Sequence, residues 1–169
     1  MAELDEKLKA LDLKLLILDV DGVLTDGTVY CFDNGVEGKG FNIQDGLGMK
    51  QLMRRGIEIA IISGKSSLAT HNRLEALGVR HIYLGVGENK DEYYLGLKQK
   101  LNLVDRNMVY VGDDLPDLPI MQQVGLSIAV ANAVPEVKKI ADYVTEHCGG
   151  DGAVREVCDM LLCHIKDYL

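Results

Sequence analysis

The sequence contains no tryptophan and only two phenylalanines among its 169 residues. Proteins that bind single-stranded nucleic acids stack bases on aromatic side chains, and this chain offers few such rings. It is also short of basic residues, because 18 lysines and arginines face 26 acidic residues and leave a net charge of −8. We therefore expect neither nucleic acid nor an anionic membrane surface as a partner.

Long hydrophobic runs are absent as well, and we expect no targeting segment. The longest apolar stretches, such as residues 57–63, have the length of a strand and fall short of the ~20 residues that a membrane-spanning helix needs. Residues 1–14 carry charges throughout and lack the apolar core of a secretory signal. The four cysteines form no CxxC pair, which argues against a zinc site. We predict a cytoplasmic location.

The sequence does contain a regular alternation of apolar strands and helices. Strands are predicted at residues 14–20, 57–62, 81–84, 108–111, 127–130 and 142–144, and helices at 45–55, 66–77, 90–101, 115–124 and 152–168. This alternation is typical of an α/β protein with a doubly wound, Rossmann-like parallel sheet. The length predicts a single domain spanning residues 1–169.

One segment interrupts the alternation. Residues 28–32 and 37–41 flank the turn Asp33-Asn34-Gly35, which predicts a β-hairpin within residues 27–41. This hairpin is the only insertion that the sequence indicates, so we expect no large cap domain.

Chemically active side chains follow the predicted strands. At the strand ends stand Asp19, Asp21, Ser63, Asp113 and Asp114. Ligands bind outside the carboxyl ends of parallel strands, so we expect these side chains to converge there with Lys90, which opens the next helix. Converging carboxylates repel one another unless a cation lies between them, and oxygen ligands suit Mg²⁺.

This combination points to phosphoryl transfer. An aspartate beside Mg²⁺ can attack phosphorus, and an acid two residues later can protonate the leaving group and then activate water. Asp19 and Asp21 have this spacing, while the hydroxyl of Ser63 and the charge of Lys90 suit phosphate oxygens.

The four motifs resemble those of the haloacid dehalogenase superfamily of phosphatases. They are DVDGVLTDG, the serine of ISGK, Lys90 and GDDLPD. The further segments FNIQDGLGMK, GDDLPDLPIM and GGDGAVREVCDMLL are similar to those of phosphatases of 3-deoxy-D-manno-octulosonate (KDO) 8-phosphate. The resemblance implies a Mg²⁺-dependent phosphatase that releases phosphate from KDO 8-phosphate in lipopolysaccharide sugar biosynthesis, through an aspartyl-phosphate intermediate.

The resemblance also implies roles for individual residues. Asp19 becomes the nucleophile and a metal ligand, Asp21 the general acid/base and a ligand through its backbone carbonyl, and Asp113 the third ligand. Ser63 and Lys90 hold the phosphoryl group, Asp114 and Asp117 support the site, and the remaining substrate-binding positions are Asn42, Ile43, Gln44, Asp45, Gly46, Lys50, Lys65 and Arg73. A homotetramer is implied, in which hairpins pair and a neighbouring subunit covers each active site.

Three departures from this pattern leave alternatives open. Lys50 and Lys65 stand where arginine is usual, and Asp151 stands where a basic residue is expected. Lysine lacks the planar fork that binds a carboxylate in two places, so a nine-carbon sialic-type acid 9-phosphate (KDN or N-acetylneuraminate) is the alternative substrate. The other candidates are a phosphomutase, a receiver-like phospho-acceptor and a non-catalytic interaction module. Asp21 argues against the phospho-acceptor, because mere phosphorylation needs no residue that activates water.

Overall fold

The computed structural model describes residues 2–165. Its strands, in chain order, are β1 (Leu15–Leu18), β2 (Tyr30–Cys31), β3 (Glu37–Gly38), β4 (Glu58–Ser63), β5 (His81–Leu84), β6 (Met108–Gly112), β7 (Leu126–Ala129) and β8 (Tyr143–Val144). Strands β2 and β3 form an antiparallel hairpin, and the other six form one parallel sheet in the order β5-β4-β1-β6-β7-β8. The predicted α/β fold with a parallel sheet and a small hairpin is confirmed.

Helices flank this sheet. They are α1 (Ala2–Ala10), α2 (Ile43–Arg54), α3 (Leu68–Leu77), α4 (Lys90–Lys100), α5 (Leu118–Met121), α6 (Pro135–Ile140) and α7 (Ala153–His164). The most extensive helix packing joins α2 to α7, while α4 packs against α5 and also against β4. Among residues 2–165, no helix has both the length and the apolar character needed to cross a bilayer.

The central strand β1 lies between β4 and β6 and is completely buried. Its residues are apolar without alternation, as expected for a strand covered on both faces. Leu18 is paired with Ile61 of β4 and with Val111 of β6, so the three strands end almost level with one another. The residues that follow them therefore meet at one edge, here called the carboxyl edge.

The hairpin is less regular than predicted. Each strand has only two residues, with Tyr30 opposite Gly38 and Cys31 opposite Glu37. Gly35 has φ +76°, which the predicted turn requires and which glycine adopts without strain. The predicted five-residue strands are not reached because a two-stranded ribbon has no further strand to stabilise it.

Four helical segments differ from prediction. The predicted helix at 115–124 is a short 3-10 helix (Leu115–Asp117) followed by α5, and a proline lies in the first turn of each. Proline is tolerated there but cannot donate the hydrogen bond that would continue a preceding helix. Helices α1 and α6 were not predicted. The predicted last helix ends at His164, and its residues 166–168 lie outside the described part of the chain.

Candidate active site

Asp19 lies one residue beyond β1, at the centre of the carboxyl edge. Its side chain is buried, with Oδ1 accepting a hydrogen bond from the Val20 N–H (2.6 Å) and Oδ2 accepting one from Lys90 Nζ (2.6 Å). Burial raises the pKa of Asp19 to about 6, although the Lys90 charge opposes this change. The side chain is therefore held firmly, with a carboxylate that the interior solvates poorly.

Lys90, the first residue of α4, bridges two buried carboxylates. Its Nζ donates to Asp19 Oδ2 and to Asp117 Oδ1 (2.7 Å). Burial would lower the pKa of Lys90, but Asp19 and Asp117 outweigh that effect and raise the pKa above its usual value. Lys90 therefore stays a cation in the interior and connects the end of β1 to the segment after β6.

Asp117 is a fixed part of the scaffold. Its Oδ1 also accepts from the Tyr110 hydroxyl (2.6 Å), and its Oδ2 accepts from the backbone N–H groups of Asp113 (2.8 Å) and Asp114 (3.1 Å). Both oxygens are thus hydrogen-bonded, and the carboxylate orients the loop after β6. Asp114 itself is exposed and begins the 3-10 helix, accepting from the Leu115 N–H (2.7 Å).

The Asp113 carboxylate has fewer hydrogen-bond partners than that of Asp117. Its Oδ1 is buried and has no hydrogen-bond partner among the described residues. Burial, followed by the charges of Asp19 and Asp117, raises its pKa to about 8. A carboxylate in this setting requires either a proton or a nearby cation.

The acidic cluster fits a divalent cation. One oxygen from each of Asp19, Asp113 and Asp117 lies within 4.8 Å of the others. Each Asp117 oxygen accepts two hydrogen bonds, whereas each Asp19 oxygen accepts one and Asp113 Oδ1 accepts none, so Asp19 and Asp113 have more lone pairs available for a cation. Gly22 leaves space here, because a Cβ at this position would lie 2.1 Å from Asp113 Oδ2. A set of hard oxygen donors with one buried oxygen unpartnered suits Mg²⁺.

Asp21 lies outside this cluster and has a partner that sequence reasoning missed. Lys39, which follows β3, places its Nζ 2.6 Å from Asp21 Oδ1 and 2.9 Å from Oδ2. The Lys39 side chain is 8% exposed although it belongs to the hairpin. Nothing in the sequence pattern indicated that this lysine folds back on Asp21.

Two further predicted substrate-binding elements lie next to each other. A Cβ on Gly46, in the first turn of α2, would lie 3.0 Å from Arg73 Nη2 of α3. The guanidinium group thus packs against Gly46. Ser63 is buried at the end of β4, at the carboxyl edge, and Lys65 is exposed two residues beyond it.

Within the 42–46 segment, the side chains have different surroundings. Asn42 caps α2, because its Oδ1 accepts from the Gln44 N–H (2.7 Å), and Ile43 is 78% exposed. Asp45 is buried and its Oδ1 accepts from the Arg155 N–H (2.8 Å) in the first turn of α7. Burial raises the pKa of Asp45 to about 6. The contacts of Asp45 are therefore with α7.

Lys50 lies elsewhere in the subunit. It lines a cavity of about 690 Å³ together with Arg54, Glu58 and Arg80. Glu58 begins β4 and Arg80 directly precedes β5, so this cavity opens at the opposite, amino edge of the sheet. The structure does not place Lys50 with the carboxylates.

Asn132 is a second residue that sequence reasoning missed. Its Nδ2 donates to the Gly22 carbonyl (3.0 Å), and its Oδ1 accepts from the Gly149 N–H (2.6 Å). It thereby connects the loop after β1 to the segment before α7. Its position just after β7 could have indicated this role. Ligands bind outside the carboxyl ends of parallel strands, and this rule identified Asp113 after β6.

Comparisons with known proteins identify the family. The haloacid dehalogenase-like hydrolase family matches residues 84–157. A 3-deoxy-D-manno-octulosonate 8-phosphate phosphatase of Escherichia coli (strain B / BL21-DE3) is 49% identical over 158 residues, which cover 94% of this chain and 84% of that protein.

Solved structures are similar over nearly the whole chain. The 3-deoxy-D-manno-octulosonate 8-phosphate phosphatase of Yersinia pestis has a TM-score of 0.91 at 44% identity, covering 95% of this chain and 86% of that one. The corresponding phosphatase of Moraxella catarrhalis, in complex with a magnesium ion, a phosphate ion and a KDO molecule, has a TM-score of 0.93 at 40% identity and covers 99% and 95%.

Proposed function

We propose that this chain, which belongs to the KDO 8-phosphate phosphatase family of haloacid dehalogenase-like hydrolases, hydrolyses KDO 8-phosphate to KDO and inorganic phosphate. The observation that carries this proposal is the centre in which Lys90 bridges Asp19 and Asp117 beside Asp113. The identity of 49% over most of the chain supports the same substrate. The product would enter lipopolysaccharide sugar biosynthesis.

Asp19 and Asp113 would hold Mg²⁺ with the backbone carbonyl of Asp21. When bound, this cation neutralises charge on the phosphoryl oxygens and on the cluster itself. Lys90 contributes a second positive charge from the buried side. Ser63, at the end of the neighbouring strand, would donate its hydroxyl to a phosphoryl oxygen.

The reaction would proceed in two displacements. An Asp19 oxygen attacks phosphorus, the bond to the sugar oxygen breaks, and Asp21 gives its proton to that oxygen. Asp21 then takes a proton from water, whose oxygen attacks phosphorus and breaks the bond to Asp19. The Lys90 and Val20 hydrogen bonds hold the Asp19 carboxylate for this in-line attack.

The sugar acid needs cations in addition to Lys90, because it carries a carboxylate as well as a phosphate. We assign this role to Arg73, whose guanidinium group packs against Gly46, and to the exposed Lys65. Lys50 lines the cavity at the amino edge, so we propose no contact between Lys50 and a substrate bound in the same subunit.

We further propose a homotetramer in which hairpins pair and a neighbouring subunit covers the active site. The support is the exposure of the apolar hairpin side chains Tyr30 (54%), Phe32 (57%) and Val36 (54%). An exposed hairpin edge also offers unpaired backbone groups to a second copy. The four unpaired cysteines fit a reducing compartment, and we propose the cytoplasm.

Phosphate release with Mg²⁺ tests the substrate. We expect the purified chain to hydrolyse KDO 8-phosphate with a higher kcat/KM than KDN 9-phosphate or N-acetylneuraminate 9-phosphate. Asp19→Asn should lower the rate by a factor on the order of 10³ or more, because it removes the nucleophile. A preference for a nine-carbon acid would replace the proposed substrate, and no turnover of any sugar-acid phosphate would exclude the enzymatic proposal.

A further inference from the structure

Lys39 brings the hairpin into contact with the active site. Its ammonium group donates a hydrogen bond to Asp21 Oδ2 (2.9 Å) and lies 2.6 Å from Oδ1, in a geometry that makes no second hydrogen bond. The hairpin strands around it are largely exposed, yet the Lys39 side chain is 8% exposed. A long, flexible lysine is rarely buried unless a specific partner holds it. The contact is therefore a built feature of the hairpin rather than a solvated surface charge.

The orientation of the Asp21 side chain depends on one partner, whereas that of Asp19 is set by two. Asp19 is held by the Val20 N–H and by Lys90. Within residues 2–165, the Asp21 carboxylate has one hydrogen-bonding side chain, that of Lys39. Asp21 also lies in the loop after β1 rather than in the strand, and its side chain is 27% exposed. Without Lys39, no side chain within residues 2–165 would hydrogen-bond to the Asp21 carboxyl group.

We propose that Lys39 is a positioning residue that holds the Asp21 carboxyl group towards the leaving-group oxygen. The inference rests on the proposed phosphatase function. As the bond from Asp19 to phosphorus forms and the bond to the sugar oxygen breaks, the electron pair goes to that oxygen, which takes the Asp21 proton. Lys39 transfers no proton and fixes only the direction of the carboxyl group. Proton transfer needs a heavy-atom separation of roughly 2.6–3.2 Å, so a rotated carboxyl group would act poorly.

The same contact couples the hairpin to catalysis. Lys39 follows β3 directly, so any displacement of the hairpin stem moves the ammonium group and with it Asp21. A neighbouring subunit seated on the hairpin would then set the orientation of the acid/base as well as cover the site.

Two substrates with different leaving groups separate positioning from other roles. The sugar hydroxyl of KDO 8-phosphate leaves only with a proton, whereas p-nitrophenolate is stable without one. The ratio kcat/KM reports the steps up to leaving-group release, so it excludes the later hydrolysis of the aspartyl-phosphate that both substrates share. For Lys39→Met we expect kcat/KM to fall about 10-fold or more on KDO 8-phosphate and only about 2-fold on p-nitrophenyl phosphate.

Two further variants complete the experiment. Lys39→Arg keeps the charge and the donor, and should restore most of the activity on KDO 8-phosphate. Lys14→Met removes a lysine that pairs with Asp12 (3.1 Å) on the surface, and should match wild type on both substrates. Thermal melting of each variant shows whether it is folded.

Several results would overturn the inference. Equal losses on the two substrates would indicate a general structural role, and a rise in KM without a fall in kcat would make Lys39 a substrate-binding cation. If wild type cleaves p-nitrophenyl phosphate but not KDO 8-phosphate, the proposed substrate fails. Glycerol 2-phosphate then replaces KDO 8-phosphate as the substrate with an alkyl leaving group. Its comparison with p-nitrophenyl phosphate still tests the role of Lys39.

Discussion

Lys90 lies among side chains that the sheet buries, whereas Lys39 lies on a hairpin whose apolar side chains face solvent. Lys90 contacts two carboxylates whose positions are set by strand ends and backbone N–H groups. Lys39 contacts one carboxylate from a ribbon of two-residue strands. The buried centre is therefore held by several hydrogen bonds within the chain, whereas a two-stranded ribbon is only marginally stable by itself. Changes in the two regions should have different consequences.

The largest effect is expected in the centre, from Lys90→Met. The change leaves Asp19 and Asp117 buried without their cation, which should lower the free energy of unfolding by about 3–5 kcal/mol and remove measurable phosphatase activity. Chemical denaturation and phosphate release measure the two effects.

Lys98→Met is the matched control for Lys90→Met, because Lys98 lies on the same helix and pairs with the more exposed Asp105. It should lower the free energy of unfolding by about 1 kcal/mol or less. Similar losses for the two variants would contradict the view that the buried centre dominates.

A smaller effect is expected in the hairpin, from the double variant Tyr30→Ser, Phe32→Ser. By light scattering, we expect the wild-type assembly to have the mass of four chains of 18.6 kDa each. The variant should have a lower mass, because the substitutions remove apolar contact area between subunits. Its kcat/KM should fall by about 10-fold, equivalent to ~1.4 kcal/mol, with little change in the stability of each subunit.

Leu95→Ser removes a similarly exposed apolar side chain from α4 and should leave the mass of the assembly unchanged. A wild-type mass of 18.6 kDa would exclude the tetramer and make the hairpin a feature of an isolated subunit.

An effect on stability smaller than that of Lys90→Met is expected at Asp45, in the first turn of α2 and in contact with α7. Its folded-state pKa of about 6 lies above the ordinary value of 3.8, so the folded state binds the proton more tightly. The contribution of Asp45 to stability should therefore rise as pH falls from about 7 to 4. Asp45→Asn cannot titrate, and should exceed wild type by about 1–3 kcal/mol near pH 7.5 and converge with it near pH 4.

Denaturation curves at several pH values measure this difference. The control Asp33→Asn alters an exposed aspartate of the hairpin turn, and its curves should follow wild type throughout. A destabilised Asp45→Asn at pH 7.5 would show that the ionised carboxylate stabilises α7 more than burial penalises it.

The comparison of centre and hairpin also explains what could be predicted from sequence. Asp19, Asp113 and Lys90 follow strands or open a helix, so strand position alone was enough to bring them together. Lys39 could not be found in this way, because its contact depends on how the hairpin folds back over the loop. Lys50 shows the converse, since its place seven residues into α2 carries it towards the amino edge.

Helix prediction from the local sequence pattern failed where prolines interrupt a helix and where a helix is very short. Pro116 and Pro119 divide the segment predicted as one helix. The short helix α6 begins at Pro135 and has too few residues to show a periodic pattern. The single-domain organisation, the roles of the individual site residues and the tetramer remain predictions.

The central position of β1 has a consequence for how the protein folds. The partners of Leu15 in the sheet are Glu58 and Met108, which are far away along the chain. Pairings of such long range require large loops to close and slow the formation of parallel sheets. A nascent chain that has emerged only as far as α3 would carry Asp19 and Asp21 but neither Lys90 nor Asp117. On the ribosome, the ability to bind a phosphate ester would therefore arise late, after most of the chain has been synthesised.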